Sequence, residues 1–147
     1  MHDRRQFLGA CLAAASAPAV LGAAVPPRKR VAFLGTEVRT HSHAQHFLDR
    51  LTFGYAWNGT WTPPRVDGAS VYIDQFPEGD LARARVKRHN LNLVPSIADA
   101  LTLGGSQLAV DGVVIIGEHG DYPRNDKGQT RYPRYDWHKQ VVKVFEE

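Results

Sequence analysis

Val110-Asp-Gly-Val-Val-Ile-Ile-Gly117 runs directly into Glu118-His119-Gly120-Asp121-Tyr122-Pro123. An apolar run of Val and Ile without polar alternation marks a strand covered on both faces, which suggests the centre of a parallel sheet. In open α/β sheets the ligand crevice lies beyond the carboxyl ends of such strands. Glu118, His119 and Asp121 therefore stand where a ligand is handled. Val31-Ala-Phe-Leu-Gly35-Thr36 has the same form and leads into Glu37 and a histidine cluster. Two strand ends of this kind define a candidate site without naming its ligand.

Between these strands the chain alternates strand and helix signals. Ser42-His-Ala-Gln45 has the form of a capping box, and Ala44, Phe47, Leu48 and Leu51 follow at helical spacing. Tyr55 to Arg65 contains Trp57, Asn58-Gly59, Trp61 and Pro63-Pro64, which reads as an inserted loop or short hairpin. Its two tryptophans are expected to cover the core, with stacking on a sugar as the alternative. Ala69–Ile73 is the second strand, ended by Asp74. Asp80 can cap a helix reaching about His89, with Leu81, Ala84 and Val86 as its apolar members. Leu91–Val94 is a short third strand, and Ser96 caps a short helix to Leu101. Tyr122 to Tyr135 is a polar loop, and the spacing from Trp137 to Phe145 predicts a helix burying Trp137, Val141, Val144 and Phe145. The fold class is thus α/β and Rossmann-like, with a mainly parallel sheet, helices on both faces and an incomplete second half.

A length of 147 residues suits one domain or part of one. Arg4-Arg5-Gln6-Phe7-Leu8 has the form of a twin-arginine signal, although Asp3 stands where Ser or Thr is usual. An Ala-rich stretch follows, and Gly22-Ala23-Ala24 offers small residues to a signal peptidase. Residues 1–24 are read as the signal, 25–30 as a linker and 31–147 as the nucleotide-binding domain. The location is then periplasmic or secreted, with the twin-arginine export machinery as a partner. The alternative is an uncleaved membrane anchor, for which the stretch is short. Leu8-Gly-Ala-Cys11 resembles a lipoprotein box, but the apolar region follows Cys11 rather than preceding it. Cys11 is the single cysteine, so the exported form would have neither disulfides nor thiolate metal sites. Removing residues 1–24 takes away Arg4, Arg5 and Asp3, leaving 16 basic and 14 acidic side chains and a formal charge of +2. Arg83, Arg85, Lys87 and Arg88 form a basic helix face without interleaved aromatics, so nucleic acid is not an expected partner.

Asp80-Leu-Ala-Arg-Ala-Arg85, Asn92-Leu-Val-Pro-Ser96-Ile-Ala-Asp-Ala-Leu101 and Val110-Asp-Gly-Val-Val-Ile-Ile-Gly117 carry a family resemblance. Together they resemble the N-terminal nucleotide domain of the glucose–fructose oxidoreductase and inositol dehydrogenase family (Gfo/Idh/MocA) over roughly residues 30–120. The resemblance implies an exported NAD(P)-dependent oxidoreductase acting on a sugar or sugar derivative. It also implies that NAD or NADP meets Gly35 and Thr36 at the phosphates, Asp74 at the ribose, and Gly117, Glu118 and His119 on the nicotinamide side. The chain departs from the family's pattern in several places. Gly35-Thr36-Glu37-Val38-Arg39-Thr40 keeps only the first glycine of the phosphate fingerprint, and Glu37 brings negative charge towards a pyrophosphate. Asp74 lies 39 residues after Gly35, where about 20 is usual, and the Tyr55–Arg65 insertion accounts for the excess. The family's catalytic Lys-Pro has no match, so the chain reads as the N-terminal part of a longer protein or as a relative without the second domain.

Two other functions compete with the oxidoreductase. His41, His43 and His46 would face Glu118, His119 and Asp121 if the first and fourth strands are neighbours, an arrangement open to a metal-assisted hydrolase or isomerase. A non-catalytic carbohydrate-binding module would instead use Trp57 and Trp61. Across the enzyme readings His119 is the catalytic candidate, because its ordinary pKa, about 6.5, suits proton transfer near neutrality.

Overall fold

The strand that begins the fold, β1 (Arg30–Gly35), alternates its side chains between two apolar layers. Ala32 and Leu34 enter one layer and Phe33 the other, which is the period-two geometry of a strand covered on both sides. This and all that follows comes from a computed structural model, which describes residues 26–147. The twin-arginine segment and its cleavage point lie outside the described residues.

The remaining elements are α1 (His43–Thr52), β2 (Tyr55–Trp57), β3 (Thr60–Thr62), β4 (Asp67–Ile73), α2 (Ala82–His89), β5 (Asn92–Leu93), α3 (Ile97–Thr102), β6 (Gly112–Ile116) and α4 (Arg134–Glu146). The main sheet has the order β5-β4-β1-β6, and each of its pairings is parallel. The expected α/β architecture is therefore present, with four parallel strands between helices. One layer sets α3 and α4 against the sheet through Ile97, Ala100, Leu101, Trp137 and Val141. The other sets α1 and α2 against it through Ala44, Leu48 and Ala82. In the first layer the buried Ser70 hydroxyl donates to the Ala100 carbonyl at 2.6 Å, tying β4 to α3.

Several local expectations change. β6 lies at an edge of the sheet, not at its centre. Its Val113 and Ile115 join one layer and Val114 and Ile116 the other. An unbroken apolar run thus reports cover on both faces and says nothing of the number of neighbours within the sheet. Residues 55–62 form a separate antiparallel hairpin, turned by Asn58 and Gly59 at φ 47° and 75°. Trp57 and Trp61 are 66% and 53% exposed, so they do not cover the core as expected. The last helix starts at Arg134, earlier than expected, and Phe145 stays half-exposed while Trp137 and Val141 are buried.

Candidate functional site

The strand order sets the site. β1 pairs with β4 on one side and β6 on the other, while the helices following β1 and β6 pack on opposite faces. The ends of β1 and β6 therefore form a switch point, with neighbouring strands followed by helices on opposite faces, and this is where open α/β sheets hold ligands. Gly35 is in register with Ile116, so the loops beginning at Thr36 and Gly117 start side by side.

The first loop is knitted into the fold. The Thr36 N–H donates to Ile116 O at 3.2 Å, and its hydroxyl donates to Glu118 O at 3.2 Å. Gln75 N–H donates to Thr36 O at 2.8 Å, and Leu81 N–H donates to Val38 O at 2.8 Å. Arg39 N–H donates to Ser42 Oγ, which in turn caps α1 by accepting from Gln45 N–H at 3.1 Å. Gln45 Oε1 accepts from His41 N–H at 2.6 Å, one residue before the position a capping box reaches. Glu37 is buried, with its carboxylate 2.9 Å from Arg39 Nε.

Of the expected cofactor contacts, Gly35 and Thr36 stand at the β1 end and Asp74 directly follows β4. A dinucleotide phosphate needs glycines for close approach and N–H groups free to point at it. Here the N–H groups of Thr36, Arg39, His41 and Ser42 already donate within the chain, and Glu37 puts a buried carboxylate in the loop. Both Asp74 oxygens are also engaged: Oδ1 accepts from Tyr72 O–H at 2.8 Å and Oδ2 from Tyr122 O–H at 2.6 Å. A ribose would have to displace or share these phenols. The residues present do not fit NAD(P) in the family's manner.

The second loop carries the acid–base groups. His119 sits in the left-handed region at φ 58°, and its Nδ1 accepts from Arg39 Nη2 at 2.9 Å. The ring proton of the neutral form is therefore on Nε2, the nitrogen left to meet a ligand. Glu118 reaches across to His43 Nδ1. The turn is held from the β4 side: Gln75 Nε2 donates to Asp121 O at 3.0 Å, and Asp121 N–H donates to Gln75 Oε1 at 2.8 Å. Gly120 must be glycine here, because its φ is 108° and a Cβ would come within 2.7 Å of the Tyr122 ring. Partial burial and then the hydrogen bond to the Asp74 carboxylate raise both phenols, Tyr72 to about 12 and Tyr122 further.

The histidine expectation holds only in part. His43 meets Glu118 and His119 meets Arg39, but among the described residues no group of three or more His, Cys, Asp or Glu is placed to hold a metal ion. Sequence reading missed Arg39, Gln75 and Tyr122. Their signal was position, since each follows a strand end by a few residues, but a polar residue in a loop has many uses. The tryptophans do not converge either. Trp61 is opposite Ala56 and Trp57 opposite Thr60, so the two rings lie on opposite faces of the hairpin.

No family model matches the chain, and neither a curated protein nor a solved structure is significantly similar to it.

Proposed function

We propose that this chain is a Rossmann-like unit that binds a small, polar, carbohydrate-like substrate at the β1 and β6 loops, with His119 Nε2–H as the donor that polarises a substrate carbonyl. The observation that carries the reading is the 2.9 Å contact from Arg39 to His119 Nδ1, which leaves Nε2–H as the ring's remaining donor. Glu118, in contact with His43, adds a partly exposed carboxylate at the same turn. The supported reaction class is proton exchange at the carbon next to that carbonyl, with His119 Nε2–H donating to the carbonyl oxygen and the Glu118 carboxylate taking the carbon's proton and returning it.

The oxidoreductase remains the second reading. The strand order β5-β4-β1-β6 and the position of Asp74 at the end of β4 favour it, while the loop after Gly35 opposes it. One set of titrations separates the two. A panel of aldoses and ketoses in deuterated solvent is followed by NMR for label uptake, with His119→Ala as control. Label uptake that depends on His119 is the expected result. If no sugar takes up label, the proton-transfer reading fails. NAD(P) is titrated in parallel. Stabilisation of about 2.7 kcal/mol at 100 Kd, weakened by Asp74→Ala, restores the oxidoreductase.

A further inference from the structure

A concave region lies away from the strand-end loops. α1 and α2 start near the carboxyl ends of β1 and β4 and run back along the sheet. Their far ends come to the start of β4, where a Cβ on Gly68 would touch Leu91 at 3.3 Å and Thr52 at 3.8 Å. Here the hairpin closes over the helices and leaves a groove of about 380 Å³ lined by Asp49, Phe53, Trp61, Arg85, Arg88 and His89, among others. That volume falls within the usual small-molecule range, roughly 300–1,000 Å³.

The lining combines an aromatic platform with positive charge. Phe53 is the hub: the Trp61 ring stands edge-on to it at 5.3 Å, His89 at 5.9 Å, and the Arg88 guanidinium lies 5.2 Å from its centroid. Phe53 and Trp61 are both about half-exposed, so apolar ring surface faces the groove region. Asp49 is the acid of the lining, and Arg85 neutralises it through two hydrogen bonds, at 2.5 and 2.9 Å. Arg88 and His89 form no ion pair among the described residues. The helix carbonyl ends nearby oppose an anion, but each is equivalent to about half a charge, and Arg88 carries a whole one.

We propose that this groove is a binding site for a small anion with a flat or ring-shaped apolar face, stacked on Trp61 and paired with Arg88. Aromatic acids and acidic sugars share this chemistry. The site is independent of His119 and stands whether or not the proton-transfer reading does.

Calorimetric titration of the full chain tests it with benzoate and glucuronate as probes, each set against its uncharged counterpart, benzyl alcohol or glucose. At least one acid should bind, with its counterpart about tenfold weaker or worse. Trp61→Leu and Arg88→Gln should each weaken that acid about tenfold, or ~1.4 kcal/mol. Trp57→Leu removes an exposed ring from the other face of the hairpin and should change nothing, as should His119→Ala. Which acid binds decides between the aromatic and sugar classes. The proposal is overturned if neither acid binds, if the uncharged partner binds equally well, or if Trp57→Leu weakens binding as much as Trp61→Leu. Melting curves of all variants exclude unfolding as the cause.

Discussion

Asp74 shows how one side chain can lose the role its position suggests. It directly follows the second parallel strand, where a ribose acceptor belongs, yet two phenols occupy its oxygens. That arrangement makes a prediction in pH. A phenol held protonated by burial and by a carboxylate acceptor stabilises the fold only while it keeps its proton. The contribution is complete below the ordinary tyrosine pKa, about 10, and is lost as pH rises through the folded-state value. Ultraviolet titration should therefore find two of the five tyrosines ionising late, Tyr72 near 12 and Tyr122 above it. Tyr122→Phe should remove the latest step and leave Tyr72 high, because burial and the Asp74 carboxylate hold it up without the second phenol. If all five tyrosines titrate together near the ordinary value, the Tyr72–Asp74–Tyr122 bridge does not exist in solution. The signal for this bridge was absent from the sequence, since Tyr72 and Tyr122 are 50 positions apart and meet only through the register of β4 and the turn after β6.

At the scale of elements, the helix starts with a capping side chain were the most legible features. A capping side chain acts on N–H groups two or three residues away, so the whole interaction lies within one short window of sequence. Ser42 and Ser96 accept from Gln45 and Asp99 N–H, and Asp80 accepts from Ala82 and Arg83 N–H, as the spacing required. Ser42 also donates to Arg39 O at 2.8 Å, so it fixes the loop that carries Arg39 to His119. Ser42→Ala should cost about 1 kcal/mol, read from denaturant unfolding. It should also loosen Arg39, which NMR would detect as a change in the His119 ring resonances; a shift confined to α1 would separate the cap from the site. The hairpin illustrates the opposite case. Asn58-Gly59 marked the turn correctly, but nothing local says on which face of a two-stranded ribbon a tryptophan meets the body of the fold.

For the whole molecule, Trp137 is the side chain that joins the last helix to the sheet. It is 4% exposed and stands edge-on to Tyr72 at 5.5 Å, in the layer shared with Leu34, Ile97 and Leu101. Trp137→Ala should cost about 3–5 kcal/mol, and since Trp57 and Trp61 are exposed, the remaining emission should shift to the red. An unshifted spectrum with unchanged stability would mean that α4 does not dock. The amino-acid pattern alone carries the order of strands and helices, three of the caps and the apolar layers of the parallel sheet, because periodicity and capping act over a few residues. It also placed Glu118 and His119 at a strand end. The edge position of β6, the pairing of Glu118 with His43 and of His119 with Arg39, and the bridging of Asp74 by two tyrosines come from the packed chain. Those pairings depend on which strands lie side by side and on the exact path of two loops, and such long-range distances are fixed by packing the whole chain.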